Sequence, residues 1–208
     1  MIASVLRLSR RDCKALRITD PYSIHRVVYS LFEDTRSDAE KRASKPNGIL
    51  YADKGGDFHQ RQILLLSDRE PMQPEYGEVV SKPIPDGFLH HDRYGFEVTV
   101  NPSRRNSASR KLVPVKGREA VIEWFIERAK SSWGFEATPE HLQIQRLGVQ
   151  QIKKGEQILT HGSATLKGEL QVIDRERFVR SFEQGIGRGR AFGFGLLQIV
   201  PLSNPFEL

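Results

Sequence analysis

The sequence predicts an α+β protein with antiparallel sheets. Runs with the two-residue alternation of strands dominate the 208 residues. Each half of the chain begins with a strand pattern, continues with a helical one and then returns to strands. This order favours two ferredoxin-like (βαββαβ, RRM-like) units in tandem. We expect an N-terminal domain over residues 1–90 and a C-terminal domain over residues 91–208.

The N-terminal elements are predicted from local patterns. Residues 2–8 (IASVLRL) are typical of a strand. Residues 21–34 (PYSIHRVVYSLFED) predict a helix, because Asp20 suits the N-cap and Pro21 suits the first helical position. Residues 61–67 (RQILLLS) predict a buried strand.

The C-terminal elements follow the same logic. Phe96, Val98 and Val100 alternate on one face of a predicted strand over residues 95–100. Pro, Ser and Asn residues then indicate a loop over residues 101–114. The remaining predicted elements are a helix over 117–132, a strand over 142–152, a strand over 163–173, a helix over 174–183 and a strand over 196–200.

The chain is basic, with 32 Lys and Arg against 26 Asp and Glu and a net charge of +6. This balance favours a polyanionic partner, above all nucleic acid. No apolar run approaches the roughly 18–20 residues of a membrane-spanning helix, and residues 1–10 lack the apolar stretch of a signal peptide. Cys13 is the only cysteine, which fits a reducing compartment. We therefore expect a cytoplasmic protein without a membrane partner.

The predicted helix over residues 21–34 has two faces. The apolar face carries Ile24, Val27, Val28, Leu31 and Phe32. On the other face, spacings of three and four residues bring Tyr22, His25 and Tyr29 onto one surface, next to Arg26, which is a candidate RNA contact. Because histidine titrates near neutral pH, His25 is a candidate general acid or base for RNA cleavage through the 2′-hydroxyl. The alternative is an exposed histidine on an ordinary polar face.

The sequence predicts neither a metal site nor a small-molecule cofactor. The other histidines show none of the spacings of zinc sites, and the lone cysteine provides no thiolate cluster. The predicted mechanism is therefore acid–base chemistry without metal.

Two segments carry clustered positive charge. Residues 101–118 contain six cations and no acid, which suggests a phosphate-binding arm; its candidate RNA contacts are Arg104, Arg105, Arg110 and Lys111. A solvated loop is the alternative. Lys153 and Lys154 stand at a predicted hairpin turn that would suit a groove of structured RNA.

Residues 185–195 (GIGRGRAFGFG) form a glycine- and arginine-rich segment between a helix and a strand. A dinucleotide-binding fingerprint is excluded by the spacing and by the order of elements, and the GK[ST] of a P-loop is absent. A flexible linker would not lead directly into the apolar run LLQIV. We expect RNA contacts from Arg188 and Arg190 and from the backbone at Gly185, Gly187, Gly189, Gly193 and Gly195.

The segment GIGRGRAFGFGLLQIVP resembles the signature of CRISPR repeat-processing endoribonucleases, and most closely that of their CasE branch, a subunit of type I-E Cascade. The resemblance continues in DPYSIHRVVYSLF (20–32), TVNPSRR (99–105), VPVKGREAVIEWFIERA (113–129) and KGELQVIDRERF (167–178). It touches most of the chain and is weakest over about residues 35–90. Arg190 stands where relatives commonly have lysine.

The resemblance implies two ferredoxin-like domains that bind the hairpin repeat of precursor CRISPR RNA. Cleavage would be independent of metal, at the 3′ base of the stem, and would leave a 5′-hydroxyl and a cyclic phosphate. His25 would be the general acid or base and Tyr22 its partner at the scissile phosphate. The product would stay bound, and the partners would be the repeat RNA and other Cascade subunits.

Two other functions remain open at this stage. A non-catalytic subunit could hold an RNA hairpin without cutting it, although a histidine on the polar face favours the enzyme. A small-molecule or nucleotide-binding domain is disfavoured by the charge and by the broken dinucleotide motif.

Overall fold

A computed structural model describes residues 1–43, 46–57, 59–154 and 157–202. For residues 153, 154 and 157 it describes the backbone alone. Across these ranges, no helix is both long and apolar enough to cross a membrane.

The N-terminal half builds an antiparallel sheet with the strand order β2-β3-β1-β4. This is the strand order of a βαββαβ unit, although the described residues 68–77, between β3 and β4, contain no helix. The elements are β1 (Ile2–Ser9), α1 (Arg10–Ala15), α2 (Pro21–Ser30), α3 (Asp38–Arg42), β2 (Ile49–Gly56), β3 (Gln60–Ser67) and β4 (Glu78–Pro83).

The C-terminal half repeats this topology with the strand order β11-β5-β10, after which β10 pairs with both β8 and β9. The α+β class with antiparallel sheets is thereby confirmed. The elements are β5 (Arg93–Val100), β6 (Ser103–Arg105), β7 (Leu112–Pro114), α4 (Arg118–Arg128), β8 (Phe135–Glu136), β9 (Leu142–Lys154), β10 (Gln157–Val172), α5 (Arg175–Gln184) and β11 (Gln198–Pro201).

Helix α2 starts where the sequence predicts and ends earlier. The Asp20 carboxylate accepts from the Ser23 amide, and Pro21 occupies the first turn. The helix ends at Ser30, not at residue 34, and the Leu31 amide closes it on the Val28 carbonyl. Its predicted apolar face is confirmed, because Ile24 and Val28 are buried against the N-terminal sheet.

The basic segment is not the loop that its composition predicts. Strands β6 and β7 pair as a short antiparallel hairpin, with Ser103 opposite Pro114 and Arg105 opposite Leu112. The Asn106 carboxamide oxygen accepts from the amides of Ala108 and Ser109 and shapes the turn. Composition predicts the turn but cannot detect strands this short. We call residues 103–114 the arm.

The two halves share a buried contact. Alternate residues of β2 and β3 point away from α2, and Leu50 and Leu66 pack there against Phe182 and Leu196 of the C-terminal half. An ion pair between Lys54 and Glu97 also joins β2 to β5. This junction places the end of α5 and the glycine-rich segment beside the N-terminal sheet.

Candidate active site

The glycine-rich segment is a closed loop that lies against the N-terminal half. Its five glycines all have positive φ, between 72° and 82°. The Ile186 amide donates to the Gly195 carbonyl at 2.9 Å and so joins the two ends of the loop. The Gly195 amide donates to the Thr99 carbonyl at 2.7 Å and fastens the loop to β5. A Cβ on Gly195 would collide with the Ile186 carbonyl oxygen, so this position requires glycine.

The tip of this loop holds His25. Residues Arg190–Phe192 form one 3₁₀ turn between two glycines in the left-handed region. His25 Nδ1 lies 2.6 Å from the Ala191 carbonyl oxygen. Since a carbonyl only accepts, Nδ1 carries the proton, and in the neutral ring Nε2 is the nitrogen with the acceptor lone pair. The histidine is therefore preset as a base.

A second side chain orders the same carbonyl. The Tyr51 hydroxyl, on β2, donates to the Ala191 oxygen at 3.2 Å. The Tyr51 side chain is only 1% exposed, and burial raises the pKa of its phenol well above the ordinary value. Tyr51 thus stays a neutral donor. It comes from a part of the chain that sequence patterns did not select.

Aromatic rings surround the imidazole, as the spacing in α2 predicts. Tyr29 is the nearer tyrosine, with its ring centroid 4.0 Å from that of His25. Tyr22 stacks at 5.9 Å, and Phe192 of the loop lies at 5.6 Å. Burial is the main cause that raises the pKa of Tyr29, and a hydrogen bond with Asn47 opposes it. The Arg26 guanidinium lies over Tyr22, 5.9 Å from the ring centroid.

The two arginines of the loop have different environments. Arg190 Nη1 donates to the Gln184 carbonyl at 2.7 Å and so caps the end of α5. Arg188 is exposed and lines a cavity of about 870 Å³ together with Gly189 and Phe192. Arg190 thus has a structural role at the end of α5, whereas the exposed Arg188 lines the cavity.

The predicted basic contacts lie on two hairpins. Arg104, Arg105, Arg110 and Lys111 are exposed on the arm, where Arg105 Nη1 donates to the Arg110 carbonyl at 2.8 Å. Ser103 and residues 112–114 of the arm line the 870 Å³ cavity. Lys153 and Lys154 are the last residues of β9, and their side chains lie outside the described part of the structure.

The long hairpin β9–β10 forms another wall of this cavity through Leu147, Val149 and His161, and β9 also packs against α2. Its His161 was not selected by the sequence. Its ring neighbours, Phe192 and Phe194, are some thirty residues away along the chain, and only folding joins them. In the described ranges, no three His, Cys, Asp or Glu side chains come together as a metal cluster would require.

Comparison with known proteins gives a consistent result. A family model described as CRISPR associated protein matches residues 1–201. The curated CRISPR-associated endoribonuclease Cse3 of Thermus thermophilus is 26% identical over an alignment of 210 positions, and the match covers 94% of this chain and 94% of that one.

Solved structures share the fold. The Cse3 endoribonuclease bound to a 19-nucleotide RNA has a TM-score of 0.78 at 23% identity, and the match covers 97% of this chain and 100% of that one. A chain of a CRISPR RNA-guided surveillance complex has a TM-score of 0.64 at 16% identity, and the match covers 97% and 100%. At these identities the likeness shows the fold alone, and it agrees with the tandem ferredoxin-like architecture.

Proposed function

Because this chain belongs to the CRISPR-associated protein family whose model matches residues 1–201, we propose that it is an endoribonuclease that cuts the hairpin repeat of precursor CRISPR RNA. The observation that carries the proposal is the hydrogen bond from His25 Nδ1 to the Ala191 carbonyl, beside a cavity lined by Arg188. It presents a base on a surface suited to a polyanion. The relatedness to the Cse3 endoribonuclease of Thermus thermophilus supports the same activity.

The proposed reaction needs no metal, since RNA carries its own nucleophile. His25 Nε2 takes the proton of the 2′-hydroxyl, and the 2′-oxygen attacks the adjacent phosphorus. The bond to the 5′-oxygen breaks, and that oxygen takes up a proton from water. The products are a cyclic phosphate and a 5′-hydroxyl. General acid–base help of this kind contributes about 10²–10⁴-fold.

The neighbouring side chains have supporting roles in this scheme. The phenol of Tyr22, which stacks on His25, is the partner group at the scissile phosphate. Arg26 and Arg188 balance the charge of the phosphates nearby. The stem of the RNA hairpin is bound by the cations of the arm and by Lys153 and Lys154. The backbone of the glycine-rich loop lies along the RNA strand.

We further propose that cleavage falls at the 3′ base of the stem and that the product stays bound. The protein would then pass with its RNA to other subunits of Cascade, since a chain of a surveillance complex shares its fold. The domains would be residues 1–90 and 91–208, and the site of action would be the cytoplasm.

Cleavage of the labelled repeat hairpin of the host's own CRISPR array, in EDTA, tests this function. We expect one cut, with products that carry a cyclic phosphate and a 5′-hydroxyl. A 2′-deoxy nucleotide at the scissile position is the matched control and should bind equally but stay intact. Binding of the unmodified hairpin without any cut would favour the non-catalytic subunit. Cutting of the deoxy substrate would refute the 2′-hydroxyl mechanism.

A further inference from the structure

His161 lies beside the proposed reaction site and has no role in the scheme above. Its ring centroid lies 6.1 Å from that of Phe192 and 6.1 Å from that of Phe194, both from the glycine-rich loop. Phe192 also lies near His25, with the two ring centroids 5.6 Å apart. One aromatic ring therefore contacts both imidazoles, and a strand that passes over Phe192 would meet both.

The tautomer of His161 is set by a buried partner. Asn101 is 7% exposed, and its Nδ2 lies 2.9 Å from His161 Nδ1. Because an amide nitrogen only donates, Nδ1 accepts, and the proton of the neutral ring is on Nε2. Burial lowers the pKa of His161, and the charge of Arg188 lowers it further. The ring is thus neutral at physiological pH and offers an N–H donor.

The two histidines are arranged in opposite senses. His25 donates through Nδ1 to a carbonyl and leaves Nε2 as an acceptor. His161 accepts at Nδ1 from an amide and leaves Nε2 as a donor. An acceptor suits removal of a proton, whereas an N–H donor suits an anionic oxygen.

The surroundings of His161 favour a phosphate. The residue lines the 870 Å³ cavity together with Arg188 and the backbone of Gly189. A neutral donor, a guanidinium and a glycine in the left-handed region form a surface suited to an anion. The cavity opens between the arm and the β9–β10 hairpin, and the exposed Lys116, which follows the arm, lines it as well.

We propose that His161 binds the RNA substrate directly, with Nε2–H donating to a phosphate oxygen of the strand that enters the cavity beside Phe192. This contact deepens the proposed function and rests on it. It makes His161 a substrate-binding residue that fixes the strand relative to His25. Asn101 is its positioning residue, since it acts only through the imidazole.

Two substitutions at His161 separate a contact from packing. In His161→Gln, the amide NH₂ replaces the Nε2–H donor at a similar reach, whereas His161→Leu keeps an apolar side chain beside Phe192 and removes the donor. We expect His161→Leu to weaken binding or single-turnover cleavage of the repeat hairpin by about 10- to 100-fold, as for a lost hydrogen bond to a charged group. His161→Gln should retain most of the wild-type value at an unchanged Tm.

A change in the tautomer of His161 gives a second test, because a residue that serves only in packing would be insensitive to its tautomer. In Asn101→Asp the carboxylate accepts from Nδ1–H and raises the pKa of the ring, so the comparison is made at a pH high enough to keep the ring neutral, where its proton leaves Nε2. ¹⁵N NMR of the imidazole should show this reversal. Hairpin cleavage should fall as in His161→Leu, although the ring and its packing remain. In the wild type, the Nε2–H signal of His161 should shift when the 2′-deoxy hairpin binds.

The outcomes keep the two proposals apart. If the wild type cuts the hairpin, His161→Leu cuts equally well and the Nε2–H signal does not move, the contact is refuted and the function stands. If the wild type binds without cutting, the affinities of the variants and the NMR shift still decide the contact. If the wild type does not bind the hairpin at all, the proposed function and this contact fall together.

Discussion

At the scale of single residues, the site depends on one backbone carbonyl. Ala191 accepts from His25 at 2.6 Å and from Tyr51 at 3.2 Å, so a helix, a strand and a loop meet at one oxygen. The spacing in α2 made His25 and Tyr22 candidates from the sequence. Tyr51 and His161 had no such signal, because their partners lie 140 and about 30 residues away along the chain. Local periodicity carries no information on such contacts.

Tyr51→Phe tests whether this carbonyl matters to catalysis. Loss of one neutral hydrogen bond should lower the single-turnover cleavage rate by about two- to tenfold, because the acceptor of His25 is less well ordered. Binding of the hairpin should be unchanged. Tyr94→Phe is the matched control, since that hydroxyl is also buried and donates to the Phe88 carbonyl at 2.7 Å. Equal rates for the two variants would contradict the assignment.

His161 should contribute to the pH dependence of the free energy of unfolding. Its pKa in the folded state is lowered, mainly by burial, so between that value and about 6.5 the unfolded state binds more protons. The stability that the neutral His161 contributes is fully present above a pH of about 6.5 and is lost as the pH falls toward the lowered pKa. Urea unfolding at pH 7.5 and pH 5 should show a larger loss of stability for the wild type than for His161→Gln. Equal losses would show that His161 titrates normally.

At the scale of elements, the glycine-rich loop lies between α2 and β5 and fixes their relative positions. Sequence patterns excluded nucleotide-binding loops here and correctly indicated an ordered segment. They did not show that Gly193 lies against the Tyr51 ring, or that Gly195 bonds to Thr99. The composition of the arm predicted a loop, since three-residue strands have no detectable alternation.

Two glycines of the loop form a matched pair. Gly195→Ala places a methyl group against the Ile186 carbonyl, whereas Gly187→Ala meets nothing within 4 Å. Both positions have positive φ, 82° and 72°, so both should lose about 1–2 kcal/mol for the left-handed backbone. Gly195→Ala should lose clearly more and should also slow cleavage. The free energies of unfolding in urea compare them, and equal values would contradict the close packing.

The arm should bind phosphates through its exposed arginines. Arg104→Ala combined with Arg105→Ala should weaken RNA binding and reduce the slope of log Kd against log salt by about 0.7–0.9 for each lost contact. Arg11→Ala combined with Arg128→Ala removes the same charge from exposed positions on α1 and α4 and should leave the slope unchanged. An unaltered slope in the arm variant would mean that these arginines do not contact phosphates and that the arm is an ordinary solvent-exposed hairpin.

At the scale of the whole molecule, fold class was the easiest property to predict. Alternating strands and the three predicted helices are local features, and they suffice for two antiparallel sheets. The junction was not predictable, because Leu50 and Leu66 appear equally suited to either face until Phe182 and Leu196 pack on them. That junction brings the C-terminal loop to the N-terminal histidine, so the site exists only in the assembled molecule.

The role of His25 as the base is tested by comparing the wild type with His25→Ala on the labelled repeat hairpin in EDTA. His90→Ala, an exposed histidine elsewhere, is the control and should cut as the wild type does. We predict that His25→Ala binds the hairpin with near wild-type affinity and loses at least about 10²-fold in single-turnover cleavage. Cleavage by His25→Ala at the wild-type rate would show that His25 is not the base, and a strict requirement for magnesium in the wild type would rule out the metal-independent mechanism.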